Sequence, residues 1–388
     1  MKRIPILLSA VLLASCSGSG DGGKLTSFVD PKIGTGGHGH VFVGANVPFG
    51  MVQLGPTSIP QEWDWTSGYH ESDETVIGFS HTHLSGTGIG DLFDITVMPV
   101  TGTVRYARGT EDDPQSGLWS YADRSKEIAR PGYYAVPLKR YGITAELTAT
   151  ERVGFHRYTF PAAEDAAIVI DLENGGCWDK ATDWGFLLSE DKTRIAGWRF
   201  STGWAKDQRV FFTAEFSKPA RSIVRENEGR YARVEFGTAE GEQILMKLAL
   251  SPVSIEGAEK NLAAELPGWD FDATAVLAER KWEAELGKVR IESRNESARR
   301  IFYTALYHTM AAPSLFCDVD GSYRGADGEI HETAAHKSYT IFSLWDTYRA
   351  AMPLMTLLHP EKMPDIINTM LAICDEQGRL PFWHLCGN

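Results

Sequence analysis

The stretch "DFDATAVLAERKWEAELGKV", residues 270–289, is where the chain changes character. Ala, Leu, Glu and Lys recur here at helical spacing while β-branched residues thin out, which predicts a helix. Upstream, from about Phe28 to Glu256, short apolar or alternating runs are broken by Gly, Pro, Asn and Asp. Examples are "DITVMPV" (94–100), "GFHRYTFP" (154–161), "AAIVIDL" (166–172), "RVFFTAEF" (209–216) and "QILMKLALS" (243–251). Strands at this density, with no helical pattern between them, predict a large β-sandwich. Downstream, after the strand-like run "KVRIES" (288–293), helices take over. "ESARRIFYTALYHTMAAP" (296–313) puts Ala298, Ile301, Phe302, Ala305, Leu306 and Thr309 on one face, closed by Pro313. "EKMPDIINTMLAICDEQG" (361–378) does the same with Met363, Ile366, Ile367, Met370, Leu371 and Cys374, and Gly378 follows its end. Between them "WDTYRAAMPLMTLLHP" (345–360) reads as a helix kinked at Pro353. The fold class is therefore multidomain, β then α.

The 388 residues, 43% of them hydrophobic, suffice for a large core and two domains. A net charge of -13 with no Lys/Arg cluster excludes a nucleic-acid partner, whose phosphates need basic neutralisation. Eleven Trp and thirteen Tyr suit a protein that handles sugars, because flat rings stack on pyranose faces. The start, "MKRIPILLSAVLLASC", has two basic residues, an apolar run too short to span a bilayer, and small residues at its end. It reads as an export signal. Its ending resembles the lipobox of bacterial lipoproteins, which makes Cys16 the lipidated residue and "SGSGDGG" a flexible tether. Cys177, Cys317, Cys374 and Cys386 fit no CxxC metal pattern and are open to being disulfides or buried thiols.

Five stretches carry candidate chemistry. In "GFSHTHLSGTG" (78–88), His81-x-His83 on a strand would point both rings to one face, as a metal pair needs, and His38-x-His40 repeats the spacing. The zinc-hydrolase reading lacks an acidic or Cys ligand at a recognisable spacing, and "HLSGTG" is not a nucleophile elbow. The plainer reading is a Gly-rich turn whose side chains bond the backbone. "FCDVDGSYRGADGEIHE" (316–332) brings Asp318, Asp320, Asp327 and Glu329 into a turn that starts like a calcium loop, but Tyr323 stands where an EF-hand needs Gly. In "SYTIFSLWDTYR" (338–349), Asp346 after Trp345 suits both a helix N-cap and a sugar pair of indole and carboxylate. "EWDWTSGYH" (62–70) and "FWHL" (382–385) add aromatics beside polar groups in loops.

Taken together, "VDPKIGTGGHGHVFVGANVPFGMVQLGP" (29–56), "SGYHESDETVIGFSHTHLSGTG" (67–88), "DVDGSYRGADGEIH" (318–331), "FSLWDTYRAAMPL" (342–354) and "GRLPFWHLCGN" (378–388) resemble glycoside hydrolase family 92, the bacterial exo-acting α-mannosidases. The resemblance implies an N-terminal β-sandwich, a linker helix, and a C-terminal (α/α)₆ barrel with the active site between. It implies removal of terminal α-linked mannose from a mannose-containing glycan with inversion, α-1,2 in type, and Ca²⁺ at the mannose hydroxyls. The domains then run 1–16 signal peptide, 17–27 tether, 28–265 sandwich, 266–293 linker helix and strand, and 294–388 the start of the barrel. The family's general acid and base are expected downstream, so no catalytic residue is assigned, the calcium ligands are placed mostly beyond residue 388, and the chain reads as a truncated enzyme. The alternative is an inactive fragment or a sugar-binding sandwich without catalysis. By position, Trp345 and Asp346 match the family's Trp-Asp at the terminal mannose. Trp65, with Trp63 as the alternative, matches the sandwich region near the leaving group. His384 stands where Glu is more usual, and Arg349 is open to pairing with a carboxylate near the site or to a structural salt bridge. The resemblance also implies an exported lipoprotein anchored through Cys16, in the periplasm or at the outer membrane or cell surface of a Gram-negative bacterium.

Overall fold

A computed structural model describes residues 23–59, 62–333 and 335–386, so Cys16 and the signal and tether through residue 22 lie outside the described residues. A seven-stranded antiparallel sheet runs in the order Ala45–Asn46, Gln53–Thr57, Gly78–Ser80, Thr96–Val100, Ala163–Asp171, Tyr231–Thr238, Ser222–Glu226. An eight-stranded sheet runs Lys180–Leu188, Arg194–Thr202, Gln208–Phe216, Glu242–Ser251, Val153–Phe160, Ile143–Ala149, Tyr133–Leu138, Ile128–Arg130. Side-chain alternation explains the layering. On Val153–Phe160, Tyr158 and Phe160 enter the core between the sheets, while Val153 and Phe155 point the other way. On Glu242–Ser251, Ile244, Met246, Leu248 and Leu250 face inward, and Ala249 joins Val153 and Phe155 on the outer face. That outer face is covered by helices α1 (Ile255–Glu265) and α2 (Phe271–Leu286), through Ala258, Leu262 and Phe271.

Helix α1 was not visible in the sequence pattern, which read as strands to about Glu256. Its N-cap is Ser254, whose hydroxyl accepts from the Gly257 amide. Helix α2 starts on Asp270 and α3 (Glu296–His308) on Asn295, each side chain capping the amide three residues on. The run "KVRIES" between them is not a strand: the Tyr303 hydroxyl donates to the Val289 carbonyl and accepts from the Ile291 amide, and this replaces sheet bonding.

The face of α3 also differs from expectation. Tyr303, Leu306 and Tyr307 are buried against a second core, whereas Ile301 is 57% exposed. Trp282 of α2 joins this core to the sandwich by donating its indole N–H to the Asn46 carbonyl at 2.8 Å and packing on Tyr307. Helices α4 (Leu344–Thr347) and α5 (Ala351–Leu358) break at Tyr348–Ala350, before Pro353, which sits in the first turn of α5 where its missing N–H costs nothing. Helix α6 (Met363–Gln377) buries Ile366, Thr369 and Ile373 and leaves Ile367 and Leu371 half-exposed. It ends on Gly378 at φ 78°, a left-handed position that favours glycine. Cys177, Cys317, Cys374 and Cys386 are free thiols. No helix among the described residues is long and apolar enough to cross a membrane.

Candidate functional site

The loop that follows Gly78–Ser80 organises the sandwich end of the site. His81 and His83, the proposed metal pair, are fully buried and committed to protein partners. His81 bonds the Ile95 carbonyl at 2.7 Å and His156 at 3.0 Å; His83 bonds the Gln53 carbonyl at 2.8 Å and Thr57 at 3.2 Å. Burial pushes His81 down to about 3 and His83 down to about 4, so both rings are neutral. His40 is buried against Trp63 and bonded to Thr66, while His38 is exposed and bonded to Asp64 at 2.6 Å. The four histidines therefore form no common ligand set, and His81 and His83 each bond a backbone carbonyl instead.

Further along the loop, Leu84, Ile89 and Leu92 form a small core with Ala205 and Leu385, with Trp383 packed on it. Asp91, fully buried, accepts from the amides of Trp204 and Ala205 at 2.9 and 2.8 Å. It thereby fixes Trp204 at the edge of a cleft of about 620 Å³ between the sandwich and the C-terminal segment. Trp204 meets Trp383 edge-on at 5.6 Å.

Next to Trp204 a short ladder, Phe342 opposite His384 and Ser343 opposite Trp383, joins the two segments that the sequence marked separately. Trp345 is exposed beside Phe382, with ring centroids 5.5 Å apart. Asp346 is not the N-cap: Ser343 holds that position, and the Asp346 carboxylate accepts from its hydroxyl. His384 is buried in the cleft wall with Nδ1 3.5 Å from the Thr340 hydroxyl, and its Nε2 has no partner among the described residues. Burial pushes it down to about 4, so it presents a neutral imidazole. Trp65 lies apart from this group, stacked on His70 at 4.7 Å and donating to Asp73 at 2.7 Å. Arg349 donates to the Tyr348 hydroxyl and has no carboxylate partner among the described residues.

Two acids line the cleft. Burial pushes Asp207 up, but the hydrogen bond from Arg209 and the charge of Arg324 outweigh it and hold the carboxyl below its ordinary value. At Asp327 the Glu329 amide and the His331 ring likewise outweigh burial. Both are held as carboxylates. The calcium-like loop does not converge either. Asp318 is buried and accepts from Ser251 and Asn261, Asp320 pairs with Lys260 at 2.7 Å, and Asp327 turns to His331.

Among the described residues one cluster has ligand-like spacing: Glu285, His359 and Glu361, with atoms within 4.8 Å of one another. Its centre is taken by the Lys288 ammonium, 2.8 Å from Glu285, 2.7 Å from Glu361 and 3.0 Å from His359 Nδ1. Calcium takes roughly six to eight oxygens, so an imidazole, two carboxylates and a tethered ammonium do not fit it.

Comparison with known proteins agrees with this architecture. A family GH92 alpha-mannosidase from Bacteroides thetaiotaomicron is 37% identical and superposes with a TM-score of 0.89, over 94% of this chain and 52% of that one. The same enzyme with bound mannoimidazole matches equally, over 50% of its length. A family GH92 inverting mannosidase from Bacteroides thetaiotaomicron VPI-5482 is 26% identical with a TM-score of 0.81, over 93% of this chain and 50% of that one. A protein of Arthroderma benhamiae described as an uncharacterized secreted glycosidase is 27% identical over 80% of this chain and 44% of its own length. The chain thus spans about half the length of these relatives. Residues 28–251 match the glycosyl hydrolase family 92 N-terminal domain and residues 257–388 match the family's catalytic domain, and the chain therefore belongs to glycosyl hydrolase family 92.

Proposed function

We propose that the chain is the N-terminal part of an exo-acting α-mannosidase, α-1,2 in type, that removes terminal mannose from glycans with inversion. What supports this is the short ladder that joins Phe342–Ser343, just ahead of Trp345 and Asp346, to Trp383–His384, where Trp383 meets Trp204 at the cleft. In this reading Trp345 packs on the terminal mannose ring, and Asp346 accepts a hydroxyl with the oxygen not used by Ser343. His384 bonds another hydroxyl through Nε2. Trp65 stands on the leaving-group side, with Trp63 as the alternative for that place.

Inversion needs one protonated carboxyl to deliver a proton to the leaving oxygen, and a carboxylate about 6.5–9.5 Å away to activate water. Asp207 is held ionised by Arg209 and Arg324, and Asp327 by the Glu329 amide and the His331 ring, so they suit neither the proton-donor role nor a free base. The acid and base of this reading are therefore supplied from outside these residues, as are the calcium ligands that family membership implies. The helices α3 to α6 then belong to the (α/α)₆ barrel, and Cys16 anchors the exported protein to a membrane through lipid. A sugar-binding sandwich without catalysis is the reading left standing if hydrolysis is absent.

The test is the anomer of mannose that the complete product of the reading frame releases from α-1,2-mannobiose, followed by proton NMR. β-Mannose appearing first is expected; α-mannose first, or no mannose, overturns the proposal.

A further inference from the structure

Two exposed tryptophans outside the cleft rest on the same loop that positions Trp204. Trp63 is 50% exposed and Trp178 is 41% exposed, though burial is the usual fate of so large a ring. The Trp63 indole donates to the Gly88 carbonyl at 3.0 Å, and the Trp178 amide donates to the Gly90 carbonyl at 3.3 Å. Each ring presses on the glycine that holds it. A methyl at Gly88 would lie 2.2 Å from Trp63 Nε1, and one at Gly90 would lie 3.0 Å from two ring atoms of Trp178. The absence of side chains at Gly88 and Gly90 lets the loop serve as a floor under both rings. Two peptide units separate these glycines, at most about 7 Å. The Cys177 thiol, 3.5 Å from the Glu62 carbonyl, ties the two ring-bearing segments together. The next residue after Gly90 is Asp91, which holds Trp204 at the cleft. The loop thus leads from Trp63 through Trp178 to Trp204 without a break.

We infer that Trp178, with Trp63, is a stacking platform for the inner hexoses of an oligosaccharide whose terminal residue enters the cleft. This rests on the mannose reading above and adds to it that the substrate is a chain of several sugars. A run of separate, floor-backed rings beside polar groups suits pyranoses in sequence, each offering one apolar face. The occupant is an oligosaccharide because the loop under both rings runs directly into Asp91, which holds Trp204 at the cleft.

The experiment measures binding of mannoimidazole and of an α-linked mannotriose to the complete chain and its variants, by calorimetry. For Trp178→Ala, about fivefold to tenfold weaker binding of mannotriose is expected. Binding of mannoimidazole, which fills one sugar site, should be unchanged. Trp178→Phe should recover most of the loss, and Gly90→Ala, which displaces the ring, should reproduce it. If the parent protein binds mannoimidazole and Trp178→Ala binds mannotriose as tightly as the parent, the platform is refuted while the mannose reading stands. If the parent protein binds neither ligand, the mannose reading falls, and this inference with it.

Discussion

The sandwich and the C-terminal helices bury their apolar residues in different ways. In the sandwich, strands from both sheets send Phe79, Tyr158, Phe212, Ile244 and Met246 into one dry core, and the outer face of the larger sheet is covered by α1 and α2. On α5 and α6 the inner residues Met355, Ile366 and Ile373 are buried, yet Leu357 is 77% and Leu371 is 52% exposed. The sandwich completes its own core, while the later helices have an apolar side that their neighbours among the described residues do not use. The cleft lies where these two regions meet, with Trp204 from the first and Trp383 from the second.

The comparison is broken most severely at Arg199. This fully buried guanidinium binds Asp94 at 2.6 Å and Asp179 at 2.5 Å, and Thr82, Gln208 and Ser201 supply the remaining hydrogen bonds to the two carboxylates. Arg199→Met leaves two buried acids without their cation and is expected to cost about 3–5 kcal/mol in denaturant unfolding. A loss under about 1 kcal/mol would mean that the sandwich does not depend on this network.

A smaller effect is expected at Asp318, which joins α1 to the C-terminal region. Burial pushes its carboxyl up to about 6, against the hydrogen bonds from Ser251 and Asn261. The folded state therefore holds the proton more tightly than the unfolded chain, whose value is about 4. Between about pH 4 and 6 the folded form binds more protons, so this group's contribution to stability falls as pH rises. Asp318→Asn removes that dependence. The stability difference, parent minus variant, should decline by up to about 3 kcal/mol across the window. Parallel curves would contradict it.

The smallest effect is expected on the unused helix side. Leu371→Gln should change the unfolding free energy of residues 1–388 by less than about 0.5 kcal/mol, the usual range for surface positions. A loss of 2 kcal/mol or more would show that this side is packed and that the contrast between the regions is wrong.

The change from strands to helices near residue 270 was legible because period-2 and period-3.6 patterns rarely mimic each other over such lengths. Helix α1 was not legible, since "IEGAEKNLAAE" offers only Ala258 and Leu262 as apolar contacts and uses Asn261 to bond the Leu250 carbonyl and Asp318. Which residues of α3 and α6 are buried was misjudged because tyrosine and threonine carry much of the contact, and hydropathy patterns discount both.

The site was legible in part. Trp345, Asp346 and His384 stood out as motifs, but the two-pair ladder that joins Phe342–Ser343 to Trp383–His384 spans about forty residues and leaves no local pattern. Trp178 and Trp204 were missed because their importance comes from a loop about ninety to a hundred and fifteen residues earlier, through Gly90 and Asp91. The alternate glycines of "GTGIGD" (86–91) were the one available signal, and on their own they look like any flexible turn.

The most direct test of the account is a crystal structure of the complete chain with mannoimidazole. The account places the sugar ring in the cleft lined by Trp204 and Trp383, against Trp345 and within hydrogen-bond reach of Asp346 and of His384 Nε2. Mannoimidazole bound elsewhere, with this cleft empty, would contradict it.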